Sequence, residues 1–443
     1  MTGIAERPDT RSMWTNWAGS ARCTPARRVS PRSEDELAQY VRDACATGQP
    51  LRLAGSGHSF APLVSTDSTL VDLHEYADVI AVDPVGMTIT VQAGTPLWRI
   101  NAELDRYGLA LENMGTINVQ TAAGLVSTGT HGSGTRYGCL SSQIASMRLI
   151  TGHGELVECS ATSEPDVFSA ARLGLGALGV ISTITFRCVP AFSLGLEEAT
   201  EPFARLIGRL PELIANVDHP IFFWPMWSDS VHIRAMSRTT APRRPPSRWQ
   251  AWRDHYLAGH VGLHGVLQTH RRNAALVPFA SKVLMRRPLR SFVDVSHRVF
   301  TFPQRVRVVA MEYAVPLEAL GQALQELRRA LPSAGEVVSL PLEIRVAPGN
   351  DIPLSPAYGR PTGYVNLATD AHSPHDKIFH CAERVLGDFD GRPHWAKLHS
   401  QTARSLAPRY PRWHDVQRIR QSLDPEGILI NPYLEQVLTG TSA

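Results

Sequence analysis

Lysine is nearly absent from this chain. The 443 residues hold three (Lys282, Lys377 and Lys397) beside 41 arginines, and 44 basic against 41 acidic residues leave +3. That balance provides no bulk basic field of the kind a nucleic-acid binder uses. The arginines run along the whole chain rather than forming a patch, which reads as a coding bias. Cysteine is also scarce: six residues, far apart and without a C-x-x-C pair, which predicts neither a zinc site nor a redox dithiol. Free thiols fit a reducing compartment. No window approaches about 18 uninterrupted apolar residues, and the opening MTGIAERPDTRS carries charge where a signal peptide needs an apolar centre. The expectation is a cytoplasmic protein with no membrane span, no metal and no nucleic-acid partner.

What is present reads as a large globular chain, and about 150 residues per domain predicts two to three domains. Ser33-Glu-Asp-Glu36 has the form of a capping box, with Leu37, Tyr40, Val41 and Ala44 at helical spacing up to Gly48. Leu51 to Ala54 predicts a strand feeding a glycine turn. Residues 79–94 and 147–159 read as hairpins, Thr95-Pro96 as the cap and first turn of a helix, 164–172 as a helix and 180–189 as a strand. The first 190 residues therefore mix strands, hairpins and helices without a steady βαβ repeat, an α+β pattern. The basic, proline-rich stretch 238–250 predicts a surface loop. Beyond it, strands at 305–314, 338–346 and 362–369 alternate with helices near 317–331 and 374–387.

Two glycine-rich segments dominate: Gly55-Ser-Gly-His-Ser59 and Ser127-Thr-Gly-Thr-His-Gly-Ser-Gly134. Runs of glycine and hydroxyl residues bring backbone N–H groups to one anion, as a pyrophosphate needs. Either run alone also fits an ordinary tight turn. Neither is a Walker loop, because no Gly-Lys-Ser/Thr follows. Gly174-Leu-Gly-Ala-Leu-Gly179 fits G-x-G-x-x-G, but a helix precedes it and a strand follows. That is the reverse of the nicotinamide-binding order. His58, between small residues in a candidate phosphate turn, could be a polar turn residue, a base or a nucleophile toward a cofactor.

With these residues in order, the chain resembles the vanillyl-alcohol oxidase family of flavoproteins. Within that family it is similar to the sugar-1,4-lactone oxidase and alditol oxidase branch, which includes gulonolactone and arabinonolactone oxidases. The matching stretches are Leu53 to Phe60, Asn113-Met-Gly-Thr116, Ser127 to Gly134, Gly174 to Ile181, Glu343-Ile-Arg345, His394-Trp-Ala-Lys397, and Asp424 to Gly427 with Asn431-Pro-Tyr433. The resemblance implies an FAD-binding domain of residues 1–190, an α+β substrate-binding cap of 191–399, and a segment 400–443 returning to the FAD-binding domain. It implies that Gly55, Ser56, Gly57, His58 and Ser59 hold the FAD pyrophosphate, with His58 as a covalent attachment point. Thr128, Gly129, His131 and Gly132 would line the cofactor, and Val180 and Ile181 would lie toward its adenine end. Gly115 and Thr116 would approach the flavin ring, glycine there favouring access of oxygen.

Glu343 and Arg345 stand two apart in a run that reads as a strand, so they would share a face. Alone, such a pair could be a screened surface ion pair. The resemblance makes Glu343 a substrate-positioning carboxylate, and Arg345 with Lys397 the cations that steady negative charge on reduced flavin and substrate oxygen. Thr116, Asn366, Ala368 and His394 complete the expected substrate contacts. Asn366 and Ala368 stand where relatives place a histidine and a threonine, and Ala396 replaces the family's glycine before the lysine. The leading expectation is oxidation of a secondary alcohol in a sugar-derived 1,4-lactone or polyol by hydride transfer to flavin N5, with oxygen or another electron acceptor reoxidising it. Three alternatives are a tailoring oxidase for a larger polyol or glycoside, a flavin-binding module without catalysis, and a metal hydrolase using His260, His264 and His270. The hydrolase lacks the glutamate of a zincin.

Overall fold

The computed structural model describes residues 13–285, 288–302, 304 and 306–440. A helix, Glu34–Thr47, starts where the Ser33 hydroxyl accepts the Glu36 N–H at 3.1 Å and stops at Gly48, whose φ of 61° is left-handed. It buries Leu37, Val41 and Ala44. This helix links Arg27–Val29 to Leu51–Ala54, and both strands pair in parallel with Thr69–Asp72. One βαβ unit thus stands where the sequence reading saw no steady repeat. Its three- and four-residue strands are too short to show a period.

Beside it lies a five-stranded antiparallel sheet in the order Leu156–Ser160, Ile144–Ile150, Val180–Arg187, Thr88–Gln92, Val79–Asp83. Both expected hairpins are present in it. The helix after Thr95 runs from Leu97 to Arg106, but Pro96 holds the cap position. Thr95 stands one residue before the cap and accepts no helix N–H; its hydroxyl donates to the Asp78 carbonyl at 2.9 Å.

The third sheet has eight antiparallel strands: Ser291–Val295, Ser193–Pro202, Ser230–Thr239, His219–Trp224, Leu342–Ala347, Thr362–Asp370, Val308–Pro316 and Arg392–Pro393. The strand expected from 305 is described from Val308; residue 305 itself lies outside the described residues. The strand expected from 338 begins at Leu342. Helices Leu320–Ala330 and Asp376–Asp388 pack on this sheet through Leu320, Leu324, Leu327, Ile378, Ala382 and Leu386. The expected loop at 238–250 covers only the exposed residues after Thr239, since a helix starts at Arg248. The chain's last helices, with Leu406, Tyr410, Val416 and Leu434, pack against Leu173, Leu175 and Leu178. Among the described residues no helix is long and apolar enough to cross a membrane. The architecture is α+β.

Candidate active site

The first glycine loop leaves the strand Leu51–Ala54 and forms one wall of a cleft. Gly55, Ser56, Gly57, His58 and Ser59 line it, with Gln120, Thr121, Gly124, Ser127, Thr128, Gly176, Gly179, Val180 and Ile181. A Cβ on Gly55 would stand 2.2 Å from Thr121 Oγ1, so only glycine allows this approach of the two walls. Gly57, at φ +66°, turns the loop. A cleft walled by backbone and hydroxyls is the donor set a pyrophosphate takes. Gly129 and Gly132 do not line it. A Cβ on Gly132 would lie 2.2 Å from Asn113 Oδ1 and 2.5 Å from the Met114 carbonyl, so this glycine serves the close packing of two loops.

His58 and Gln120 also line a second cavity of about 360 Å³, whose floor is the eight-stranded sheet. The pairing registers Phe223↔Glu343, Glu343↔Asn366 and Asn366↔Glu312 place these four side chains in one row across the sheet. Residues directly opposite share a face, so the row points into the cavity it lines. Arg345, two positions along from Glu343, donates from Nε to Glu343 Oε1 at 2.8 Å, from Nη1 to the His131 carbonyl at 3.1 Å and from Nη2 to Thr116 Oγ1 at 3.2 Å. Burial pulls the Arg345 guanidinium down, but Glu343 and Glu312 outweigh it and hold its pKa above the ordinary value. The guanidinium ties the sheet to both the Gly115-Thr116 turn and the second glycine loop. Asn366 Oδ1 is buried without a hydrogen-bond partner.

Glu312 was not singled out from sequence, and it organises the cation side. One carboxylate oxygen lies 3.1 Å from His131 Nε2 and the other 3.6 Å from Lys397 Nζ. Burial alone would raise the Glu312 pKa, but Lys397 and His131 outweigh it and hold the carboxyl well below 4.5. His131 Nδ1 faces the Gly132 carbonyl at 2.9 Å and must donate there. His131 stacks on Tyr364 with ring centroids 3.7 Å apart. His394 Nδ1 accepts the Ala396 N–H at 3.2 Å, and burial pushes this imidazole down to about 3. Lys397 has its ammonium 5.0 Å from the Phe60 ring centre.

Thr116, Ala368 and Gly115 line the same cavity. His58 lies against Trp17, ring centroids 5.1 Å apart. Burial, then Lys397, lowers its pKa to about 4, so it is neutral at cellular pH. His260, His264 and His270 do not converge: His270 meets Ser339 Oγ at 2.5 Å, and the 260 and 264 rings lie 6.3 Å apart. Sequence reasoning also missed Gln120 and Trp17, which stand outside every motif it used.

A glycine-walled cleft opening onto a sheet-borne Glu–Arg pair and a neighbouring lysine defines a flavin-dependent oxidoreductase. Residues 25–160 match the FAD binding domain family, and residues 184–437 match D-arabinono-1,4-lactone oxidase. The chain belongs to the D-arabinono-1,4-lactone oxidase family. The L-gulono-1,4-lactone dehydrogenase of Mycobacterium tuberculosis is 36% identical over 434 residues, 96% of this chain and 99% of that protein. The L-gulonolactone oxidase of Bos taurus is 32% identical over 439 residues, 95% of this chain and 97% of its own. Cholesterol oxidase from B. sterolicum superimposes with a TM-score of 0.81 over 99% of this chain and 100% of that one. At 13% identity that likeness is one of fold. The cofactor is FAD.

Proposed function

We propose that the chain oxidises a secondary alcohol of a sugar-derived 1,4-lactone, or of a closely related polyol, with FAD as hydride acceptor. The observation that carries the reading is the row Glu343, Asn366, Glu312, with Arg345 clamped to Glu343 and the Asn366 oxygen unpartnered, beside the glycine cleft. Bound FAD supplies a two-electron acceptor. Glu343 and Asn366 accept hydrogen bonds from substrate hydroxyls and orient the carbon that is oxidised. With FAD bound, Glu343 would take the hydroxyl proton as the hydride leaves, and Arg345 and Lys397 would offset the negative charge on the substrate oxygen. Glu312 anchors Lys397 and His131, Thr116 is fixed by Arg345, and His394 and Ala368 shape the wall. Oxygen or another acceptor takes the electrons, and Gly115 leaves the approach open. The lactone names of the relatives favour this substrate class over a larger glycoside and over an inactive flavin-binding module. Six cysteines without a disulfide accord with a cytoplasmic location.

Anaerobic bleaching of the bound flavin by a panel of 1,4-lactones, alditols and glycosides is the direct test. Lactones should bleach it fastest. Flavin that dithionite reduces but no lactone or alditol does would refute the assignment. Neutral His58 is the covalent attachment point in this reading. Yellow colour should stay with acid-precipitated protein, and flavin left in the supernatant would sever that part alone.

A further inference from the structure

Two groups of side chains with metal-ligating atoms converge among the described residues. One, His131, Glu312 and His394, belongs to the pocket already described, where the Lys397 ammonium stands 3.6 Å from Glu312 and supplies its cation. The other is Cys45, His153 and Glu426, none of which lines either cavity. Each comes from a different element. Cys45 is in the last turn of the helix Glu34–Thr47, His153 is at the tip of the hairpin between Ile144–Ile150 and Leu156–Ser160, and Glu426 is in the turn after the helix Trp413–Leu423. Backbone contacts fix these segments against one another. The Gly152 N–H donates to the Leu423 carbonyl at 2.7 Å, and Arg42 Nη1 to the Gly154 carbonyl at 3.2 Å. Asp424, fully buried, accepts the Ile428 and Leu429 N–H groups and so closes the turn that carries Glu426. A Cβ on Gly152 would stand 3.0 Å from Asp424 Cα, so the hairpin tip is pressed onto that turn.

The donors meet at the surface. Cys45 Sγ lies 3.5 Å from His153 Nδ1, and His153 Nε2 lies 3.5 Å from Glu426 Oε2. One atom from each residue can be chosen so that all three are within 4.8 Å of one another. Zinc holds such ligands at about 2.0–2.3 Å, which sets tetrahedral donors roughly 3.3–3.7 Å apart. Rotation of the exposed His153 and Glu426 side chains covers the difference, and solvent reaches the fourth position. The local field suits a cation. The helix ends here at its negative pole with no basic residue in its last turn, and burial, then Glu426 and Asp424, push the Cys45 thiol up. Sulfur, imidazole and carboxylate together suit zinc, whereas magnesium and calcium take oxygen ligands.

We propose that Cys45, His153 and Glu426 form a zinc(II) site that clips the 424–427 turn and the 151–154 hairpin tip to the helix Glu34–Thr47. Binding sends the Cys45 thiol proton to solvent and leaves a thiolate on the metal, with no change of oxidation state. A nucleophilic role for the same thiol and imidazole is the weaker candidate, because the two carboxylates oppose a free thiolate and neither cavity reaches the sulfur. Spacing rules pass over the site, since Cys45 and His153 stand 108 positions apart.

The test titrates the FAD-loaded full chain, chelator-stripped and with its thiols reduced, with zinc(II) by calorimetry and with cobalt(II) by absorption. One equivalent of zinc should bind with proton release, and at a hundredfold excess over Kd it should raise the melting temperature by about 3 °C. Cobalt should give d–d bands to the red of the flavin and a thiolate charge-transfer band in the difference spectrum. Cys45→Ser and His153→Ala should each weaken zinc binding by about a hundredfold, with flavin absorbance retained. If one of them misfolds, the other still decides the question. No zinc binding at micromolar concentration, binding that neither variant changes, or a cobalt spectrum without the thiolate band overturns the proposal. So does zinc that Glu312→Gln removes instead, which would place the metal in the pocket.

Discussion

A single carboxylate decides the electrostatics of the pocket. Glu312 touches His131 and faces Lys397, so Glu312→Gln keeps the volume and removes the charge that positions both. We expect kcat for a 1,4-lactone to fall about a hundredfold with FAD still bound. Unchanged kcat would leave Glu312 a packing residue. Lys397→Arg tests the cation itself: a compact ammonium is replaced by a planar fork, beside Phe60 where space is set by a 5.0 Å contact. Anaerobic flavin reduction should slow, and equal rates would show that charge alone suffices. Lys397 was legible in sequence because it ends a motif in a chain that otherwise uses arginine. Glu312 was not. One acid in the buried strand Val308–Pro316 carries no local signal, and its meaning comes from partners 181 and 85 residues away in the chain.

At the scale of elements, two loops meet the sheet through glycine. A Cβ on Gly115 would lie 3.1 Å from Thr130 Cγ2 and 3.4 Å from the His131 carbonyl. Gly115→Ala should therefore narrow the turn that the proposed function sets toward the flavin. Reoxidation by oxygen, followed by stopped flow, should slow while reduction by lactone persists; equal loss of both would show general damage. Gly132→Ala should instead lower stability by about 1–3 kcal/mol, read by denaturant unfolding, because the new methyl meets a backbone carbonyl that cannot swing away. The hairpins, the Glu34–Thr47 helix and the Glu343/Arg345 face were legible because alternation, caps and turns are local. The parallel unit, the place of Glu312 beside Asn366 in the row and the His131–Tyr364 stack were not, since they depend on pairings far apart in sequence. The Thr95 cap was misread for a related reason. The helix starts one residue later than Thr95-Pro96 suggests, with Pro96 at the cap, and a one-residue offset carries no local signal.

For the whole molecule, acid should loosen the seam between the second glycine loop and the sheet. His219 is fully buried in that seam; its Nδ1–H donates to the Ser133 carbonyl at 2.8 Å, and its ring stacks on Tyr137. Burial lowers its pKa to about 4, against 6.5 for the free side chain. His58 at about 4 and His394 at about 3 shift the same way. Each is neutral in the fold and binds a proton more readily when unfolded. Their stabilisation is complete above pH 6.5 and is lost progressively as pH falls toward 4. For His219 alone the span is worth roughly 3 kcal/mol. Melting temperature should therefore hold steady at neutral pH and drop steadily below pH 6.5. His219→Asn keeps a donor near the Ser133 carbonyl and cannot titrate, so it should flatten that slope even if it lowers stability at pH 7. A slope identical to that of the parent protein would remove His219 from the cause and leave the loss to the other histidines that burial depresses, His58, His270, His297, His394 and His399.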